Sequence, residues 1–167
     1  MTVEQPEARR GAYTIASDPD RLDLQAVHAY LTRSYWAAGI PEEVVRRAAA
    51  NSLCFGVYFG ERTAEVQIGF ARVITDRATF AYLADVYILE DHRGQGLATW
   101  LVEVILAHPE LQGLRRFLLV TRDAQDLYAR FGFRPPEEPG QVMQIRRPNP
   151  YGAPPRPRGE ATTDATG

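Results

Sequence analysis

Between Leu53 and Ile88 the chain carries its clearest strand patterning. Leu53 to Phe59 is almost continuously apolar, which predicts a buried strand, and Gly60-Glu61-Arg62 predicts a tight turn. Val66, Ile68 and Phe70 alternate with polar or small residues, as a half-buried partner strand requires. Thr75-Asp76-Arg77 turns the chain again into a strand from Thr79 to Ile88. Leu97 to His108 has helical periodicity and is closed by Pro109. Phe117 to Val120 is a short apolar run of the kind found in buried strands. Asp123 to Phe131 reads as a helix stopped by Gly132, and Val142 to Ile145 as a last strand.

Upstream, Ala12 to Ala16 predicts a first strand. Ser17-Asp-Pro-Asp20 then supplies turn and N-cap chemistry for a helix running through Leu22 to Thr32. Pro41 stands where a helix begins, with Glu42 and Glu43 in an acid-favouring first turn and the end near Ala50. Strands in antiparallel order with helices inserted late predict a mixed α/β fold, a mostly antiparallel sheet flanked by helices, rather than an all-parallel sheet.

Composition narrows this picture. A chain of 167 residues is of single-domain size, and its 45% hydrophobic content is enough for one sizeable core. The expected domain spans residues 1–150. From about Tyr151 onward, Ala153-Pro-Pro-Arg-Pro-Arg-Gly and small polar residues predict a disordered Pro-rich tail, 151–167. The net charge of −2, with no Lys/Arg run, argues against a nucleic-acid or anionic-membrane partner. One cysteine, Cys54, excludes an intrachain disulfide, and a buried inert thiol is expected there. His28, His92 and His108 lack metal-ligand spacing, so no metal is expected. No signal-peptide core or membrane-length apolar stretch is legible, which makes a cytoplasmic protein the expectation.

The segment richest in chemistry is Leu89-Glu-Asp-His-Arg-Gly-Gln-Gly-Leu-Ala-Thr-Trp100. It leaves a strand, passes Gly94 and Gly96, and enters a helix. Glycines let backbone N–H groups approach a ligand, and the free N–H groups of a helix start favour anions, so a diphosphate is the natural guest. A Walker loop would need a lysine and a hydroxyl residue where Leu97-Ala98 stand. A Rossmann fingerprint would need an early βαβ unit and an acid where Arg115-Arg116 stand. An ordinary strand-to-helix turn is the plain alternative.

Arg93-Gly-Gln-Gly-Leu-Ala98 resembles the Arg/Gln-x-x-Gly-x-Gly/Ala signature of the GCN5-related N-acetyltransferases. Thr121-Arg-Asp-Ala-Gln-Asp-Leu-Tyr-Ala-Arg-Phe-Gly-Phe133 resembles that family's second signature, a short helix followed by Phe-Gly-Phe. The resemblance covers roughly Ile68 to Phe133 closely and the earlier part in its order of elements. It implies a splayed pair of parallel strands, Ala84–Ile88 beside Phe117–Val120, with coenzyme A lying in the splay. Backbone groups of Val86, Tyr87 and Ile88 would pair with the pantetheine amides like an added strand. The amides of Gly94, Gln95, Gly96, Leu97, Ala98 and Thr99 would hold the pyrophosphate, with Arg93 adding positive charge. His92 either touches the nucleotide end or is an exposed loop residue. Asp123 stands where relatives often carry an asparagine that contacts pantetheine; aspartate has no amide to donate, and capping the helix is its alternative role.

The implied activity is acetyl transfer from acetyl-coenzyme A to a primary amine of a small molecule or protein. Tyr128 would donate its hydroxyl proton to the departing thiolate, or else simply pack on Phe131 and Phe133. Asp85 is the best-placed base, or else an ordinary hydrogen-bonded strand residue. Glu42, Glu43 and Tyr82 are weaker candidates, and a site that only positions the amine needs no dedicated base. Tyr35 and Trp36, in the loop Ser34 to Ile40, either line the acceptor pocket or anchor the core. Two further readings stand beside this one: a catalytically silent coenzyme A-binding module of the same fold, and a nucleotide-binding domain of another kind. A homodimer through the sheet edge or the first helices would be ordinary.

Overall fold

The computed structural model describes residues 6–152. Six strands form one sheet in chain order: β1 (Glu7–Arg10), β2 (Tyr13–Ala16), β3 (Leu53–Phe59), β4 (Val66–Thr75), β5 (Phe80–Ile88) and β6 (Arg116–Leu119). Every pair is antiparallel except β5–β6, which is parallel. The mixed, mostly antiparallel architecture expected from the strand order is therefore present. No helix among the described residues is long and apolar enough to cross a membrane.

Two apolar clusters sit on opposite faces of the sheet. On one face, Ile15, Phe55, Val57, Ile68, Val73, Ala81 and Leu83 pack against α3 (Leu97–Ala107) and the short α4 (Gln125–Ala129). On the other, Cys54, Phe70 and Tyr87 pack against α1 (Leu24–Leu31) and α2 (Glu42–Ala50). The stripe Leu97, Leu101, Val102 and Ile105 explains α3: its apolar residues recur at helical spacing and all are buried.

Several expectations are corrected. β1 was not foreseen; Glu7-Ala-Arg-Arg has no apolar alternation and is held by its ladder with β2 and by the Arg21–Glu7 ion pair at 2.7 Å. The helix predicted from Leu22 starts at Leu24, because the Asp23 carboxylate accepts from the Ala26 amide at 3.0 Å. Asp18, within the predicted cap segment, instead caps a separate turn of 3₁₀ helix at Pro19–Arg21. The last strand predicted at Val142–Ile145 is absent. That segment carries no ladder, and Met143 and Ile145 are over nine-tenths exposed. Most of the predicted tail, residues 153–167, lies outside the described residues.

Candidate active site

The site begins where β6 leaves β5. The two strands pair only from Phe80↔Arg116 to Leu83↔Leu119, while β5 runs on to Ile88. From Ala84 onward β5 has no ladder partner on that side among the described residues, and the parallel pair opens into a cleft.

A bulge interrupts the other side of β5 at the same place. Phe70 pairs with Tyr87 and Arg72 with Ala84, leaving Asp85 and Val86 together opposite Ala71. Asp85 adopts φ +57°, in the left-handed region that few non-glycine residues enter. The extra residue changes which face the side chains meet. Ala81 and Leu83 point to the α3 face; a strict period of two would send Asp85 there too. The bulge instead puts Asp85 with Arg72 on the α1–α2 face, and Tyr87 joins that cluster. Among the described residues, Asp85 and Val86 consequently have no ladder partner on either side.

Both oxygens of Asp85 are engaged. Arg72 Nε donates to Oδ2 at 2.8 Å, and Trp36 Nε1 donates to Oδ1 at 3.1 Å. Arg72 also donates through Nη1 to Ser52 Oγ at 3.2 Å. The base role expected for Asp85 finds no support in this geometry. Glu42, a weaker candidate, is tied to Arg46 on the outer surface of α2. Cys54 lies in the same neighbourhood, and burial pushes its thiol up to about 12, which makes it inert as the sequence suggested. Tyr82 is also raised, by burial first and then by the Asp85 charge.

At the end of β5 the chain passes a 3₁₀ turn, Glu90–His92, and enters α3 through Gly94 (φ +77°) and Gly96 (φ +74°). A side chain would be strained at either position. A Cβ built on either glycine meets nothing within 4 Å, so the loop's outer surface is open to a ligand as well as conformationally special. Gly96 is the N-cap of α3 and supplies no side-chain acceptor, which leaves first-turn N–H groups available to an anion. The chemistry of such a turn suits an anion.

The Arg93 side chain has partners within the protein. Its Nε donates to the Ile88 carbonyl at 2.9 Å and Nη2 to Tyr30 Oη at 3.1 Å. It braces the loop against β5 and α1. His92 is likewise built in: Nδ1 shares a 3.0 Å hydrogen bond with Tyr13 Oη, and its ring packs on Phe59. Gln95 Nε2 donates to the same Tyr13 hydroxyl at 3.0 Å.

Tyr128, on α4, is buried in the α3-side core and meets Phe133 edge-on at 5.8 Å. Leu127, beside it on the same short helix, is buried as well. Burial, with a contribution from Tyr35, pushes the Tyr128 phenol up to about 12, so it is protonated throughout the neutral range. Asp123 does not cap α4. The Thr121 hydroxyl accepts from the Ala124 amide at 3.0 Å, and Asp123 pairs with Arg122 at 3.2 Å.

The loop between α1 and α2 closes over this region. Trp36 reaches Asp85, and Tyr35 lies under Arg122 from the segment after β6. Trp36 remains 37% exposed, so it is a wall rather than a core anchor. Sequence reasoning did not identify Arg72, Ser52 or Arg122; a register for β4 against β5 would have been the only route to Arg72.

A diverging parallel strand pair thus stands beside a left-handed glycine turn at a helix start. The model of the acetyltransferase (GNAT) domain matches residues 50–135. The acetyltransferase-type protein FG08082 of Gibberella zeae is 35% identical over 141 residues, covering 72% of this chain and 78% of that protein. A crystal structure of a GNAT-family protein from Xanthomonas campestris has a TM-score of 0.79 and 45% identity, covering 84% of this chain and 97% of its own. The fold is shared more distantly with a Clostridium acetobutylicum protein crystallised with acetyl-CoA (TM-score 0.57, 18% identity, 80% and 94% covered). The chain belongs to the GNAT acetyltransferase family.

Proposed function

We propose that this protein transfers an acetyl group from acetyl-CoA to a primary amine of a small molecule or a protein. The observation that carries the proposal is the stretch Asp85–Val86, which lacks a ladder partner on both sides and opens on the cleft beside the glycine turn. Backbone N–H groups at a break in the ladder register are suited to polarise a thioester carbonyl, since such donors are preorganised and need no rearrangement. The edge of β5 from Val86 to Ile88 offers pairing for the pantetheine amides, and the turn from Gly94 to Thr99 offers amides for the pyrophosphate.

In this reading Tyr128 is the acid. A phenol held protonated by burial is matched to a departing thiolate, which gains the proton as the thioester C–S bond breaks. The amine proton leaves to water, because Asp85 is committed to Arg72 and Trp36.

The test is a thermal-shift titration with acetyl-CoA, CoA, ATP and NAD in parallel, followed by an amine screen reading free thiol. A ligand selective for the native state raises the melting point by mass action. Stabilisation by the two coenzyme A species alone, with thiol release on adding an amine, is the expected result. Binding without release from any amine would favour a silent coenzyme-binding module. No shift with either species would remove the proposal.

A further inference from the structure

Asp85 occupies a costly conformation, and the residues that hold it there reach two different parts of the cleft. Its φ of +57° and its place in a two-against-one bulge put it where the chain could relax to a regular strand by slipping one residue. Asp and Asn enter this region more readily than other side-chain-bearing residues, but a carboxylate with only 13% of its side chain exposed also needs a partner. Arg72 supplies it from the adjacent strand, and Arg72 is itself held by Ser52 at the end of α2. The second carboxylate oxygen holds Trp36. Three elements are therefore tied at one carboxylate: the bulge, the β3–α2 junction and the α1–α2 loop. The other titratable groups facing it are Tyr82 and Cys54.

We propose that Arg72 is a positioning residue for acyl transfer: through Asp85 it fixes the bulge that takes Asp85 and Val86 out of the ladder register, and it holds Trp36 at the cleft mouth. This rests on the acetyltransferase reading. Asp85 acts as the anchor of this arrangement, accepting two hydrogen bonds and transferring no proton. Asparagine in its place tolerates the same backbone conformation and still offers one acceptor oxygen. Alanine offers neither. A base and an anchor thus respond differently to Asp85→Asn.

The experiment compares wild type with Asp85→Asn, Asp85→Ala, Arg72→Met and Arg72→Lys by thiol release across pH, with coenzyme A melting shifts and the emission of Trp36 (the Trp36→Phe spectrum subtracted). Expected for Asp85→Asn is a loss in kcat of less than about tenfold with the pH profile unchanged in shape, against the 10²–10⁴ that a general base contributes. Asp85→Ala and Arg72→Met should both lose more, and the double variant should lose less than the two losses combined, since both break the Arg72–Asp85 pair. Trp36 emission should shift in both. Arg72→Lys keeps the charge without the fork and serves if Arg72→Met does not fold; it should show the same emission change. Loss of the acidic limb in Asp85→Asn, or wild-type kcat and Trp36 emission in an Arg72 variant, would overturn the proposal. Absence of thiol release by wild type would instead overturn the acetyltransferase reading itself, and Arg72's role in transfer with it.

Discussion

The Arg122 guanidinium lies 3.8 Å from the centre of the Tyr35 ring. This contact joins the segment after β6 to the loop between α1 and α2, spanning the cleft from one arm to the other. Arg122 is half exposed, so the contact is worth roughly 0.5–1 kcal/mol to the fold. Its larger effect should be on how the cleft admits its acceptor. Arg122→Ala should leave the melting temperature nearly unchanged and raise the amine KM several-fold at constant acetyl-CoA KM, measured by steady-state thiol release. Equal changes in both KM values would place Arg122 on the coenzyme side.

Tyr128→Phe removes only a hydroxyl from a buried ring. Turnover should fall by about 10²-fold, the lower end of what a positioned acid contributes. Coenzyme A affinity, measured by calorimetry, should stay within a factor of about three, which corresponds to well under 1 kcal/mol. Full turnover in the variant would reduce Tyr128 to a packing residue on Phe133.

Gly96 is left-handed at the entrance of α3 and has open space where a Cβ would project. Gly96→Ala should therefore cost about 1–2 kcal/mol through backbone strain alone, with no steric clash inside the protein. Coenzyme A binding should weaken beyond that, because the methyl group would stand on the ligand side of the loop. Chemical denaturation and calorimetry on the same variant separate the two effects.

His108 is buried, and its ring is a neutral tautomer fixed by its neighbours. Nδ1 accepts from the Glu110 amide at 3.2 Å, so Nε2 carries the proton toward Ser17 Oγ at 3.3 Å. Burial lowers its affinity for a second proton from the ordinary value of 6.5. The unfolded chain then binds the proton before the folded one does. Stability from this group is complete above pH about 6.5 and declines as the pH falls from there toward the depressed folded value. Melting temperatures between pH 7.5 and 5 should fall more steeply for wild type than for His108→Gln. Parallel slopes would show that His108 does not titrate in this window.

The parts of this molecule legible in its sequence are those whose signal is local. The strands Leu53–Phe59 and Val66–Thr75 and the helix from Leu97 carry their burial pattern in their own residues. The glycine turn is equally local, since Gly94 and Gly96 need their conformations whatever surrounds them. β1 was missed because an edge strand of charged residues is held by its neighbours. Val142–Ile145 is apolar enough for a strand, but its own residues do not show whether a partner edge is in reach. The role of Asp85 was hidden for a related reason. Its partner Arg72 lies 13 residues away across a bulge, and a single inserted residue reverses which face a side chain meets. Arg93 shows the limit of a motif: a signature does not give a side chain's partners, which here are Tyr30 and the Ile88 carbonyl.

The parting of β6 from β5 after Leu83 leaves a seam inside the sheet rather than at its margin. Peptide groups along such a seam meet solvent, so deuterium should enter the far end of β5 long before it reaches β3 or β4. A guest chain laid in the seam would close it. The exchange rate of the Asp85 and Val86 amides then becomes a gauge of occupancy that needs neither turnover nor a known acceptor.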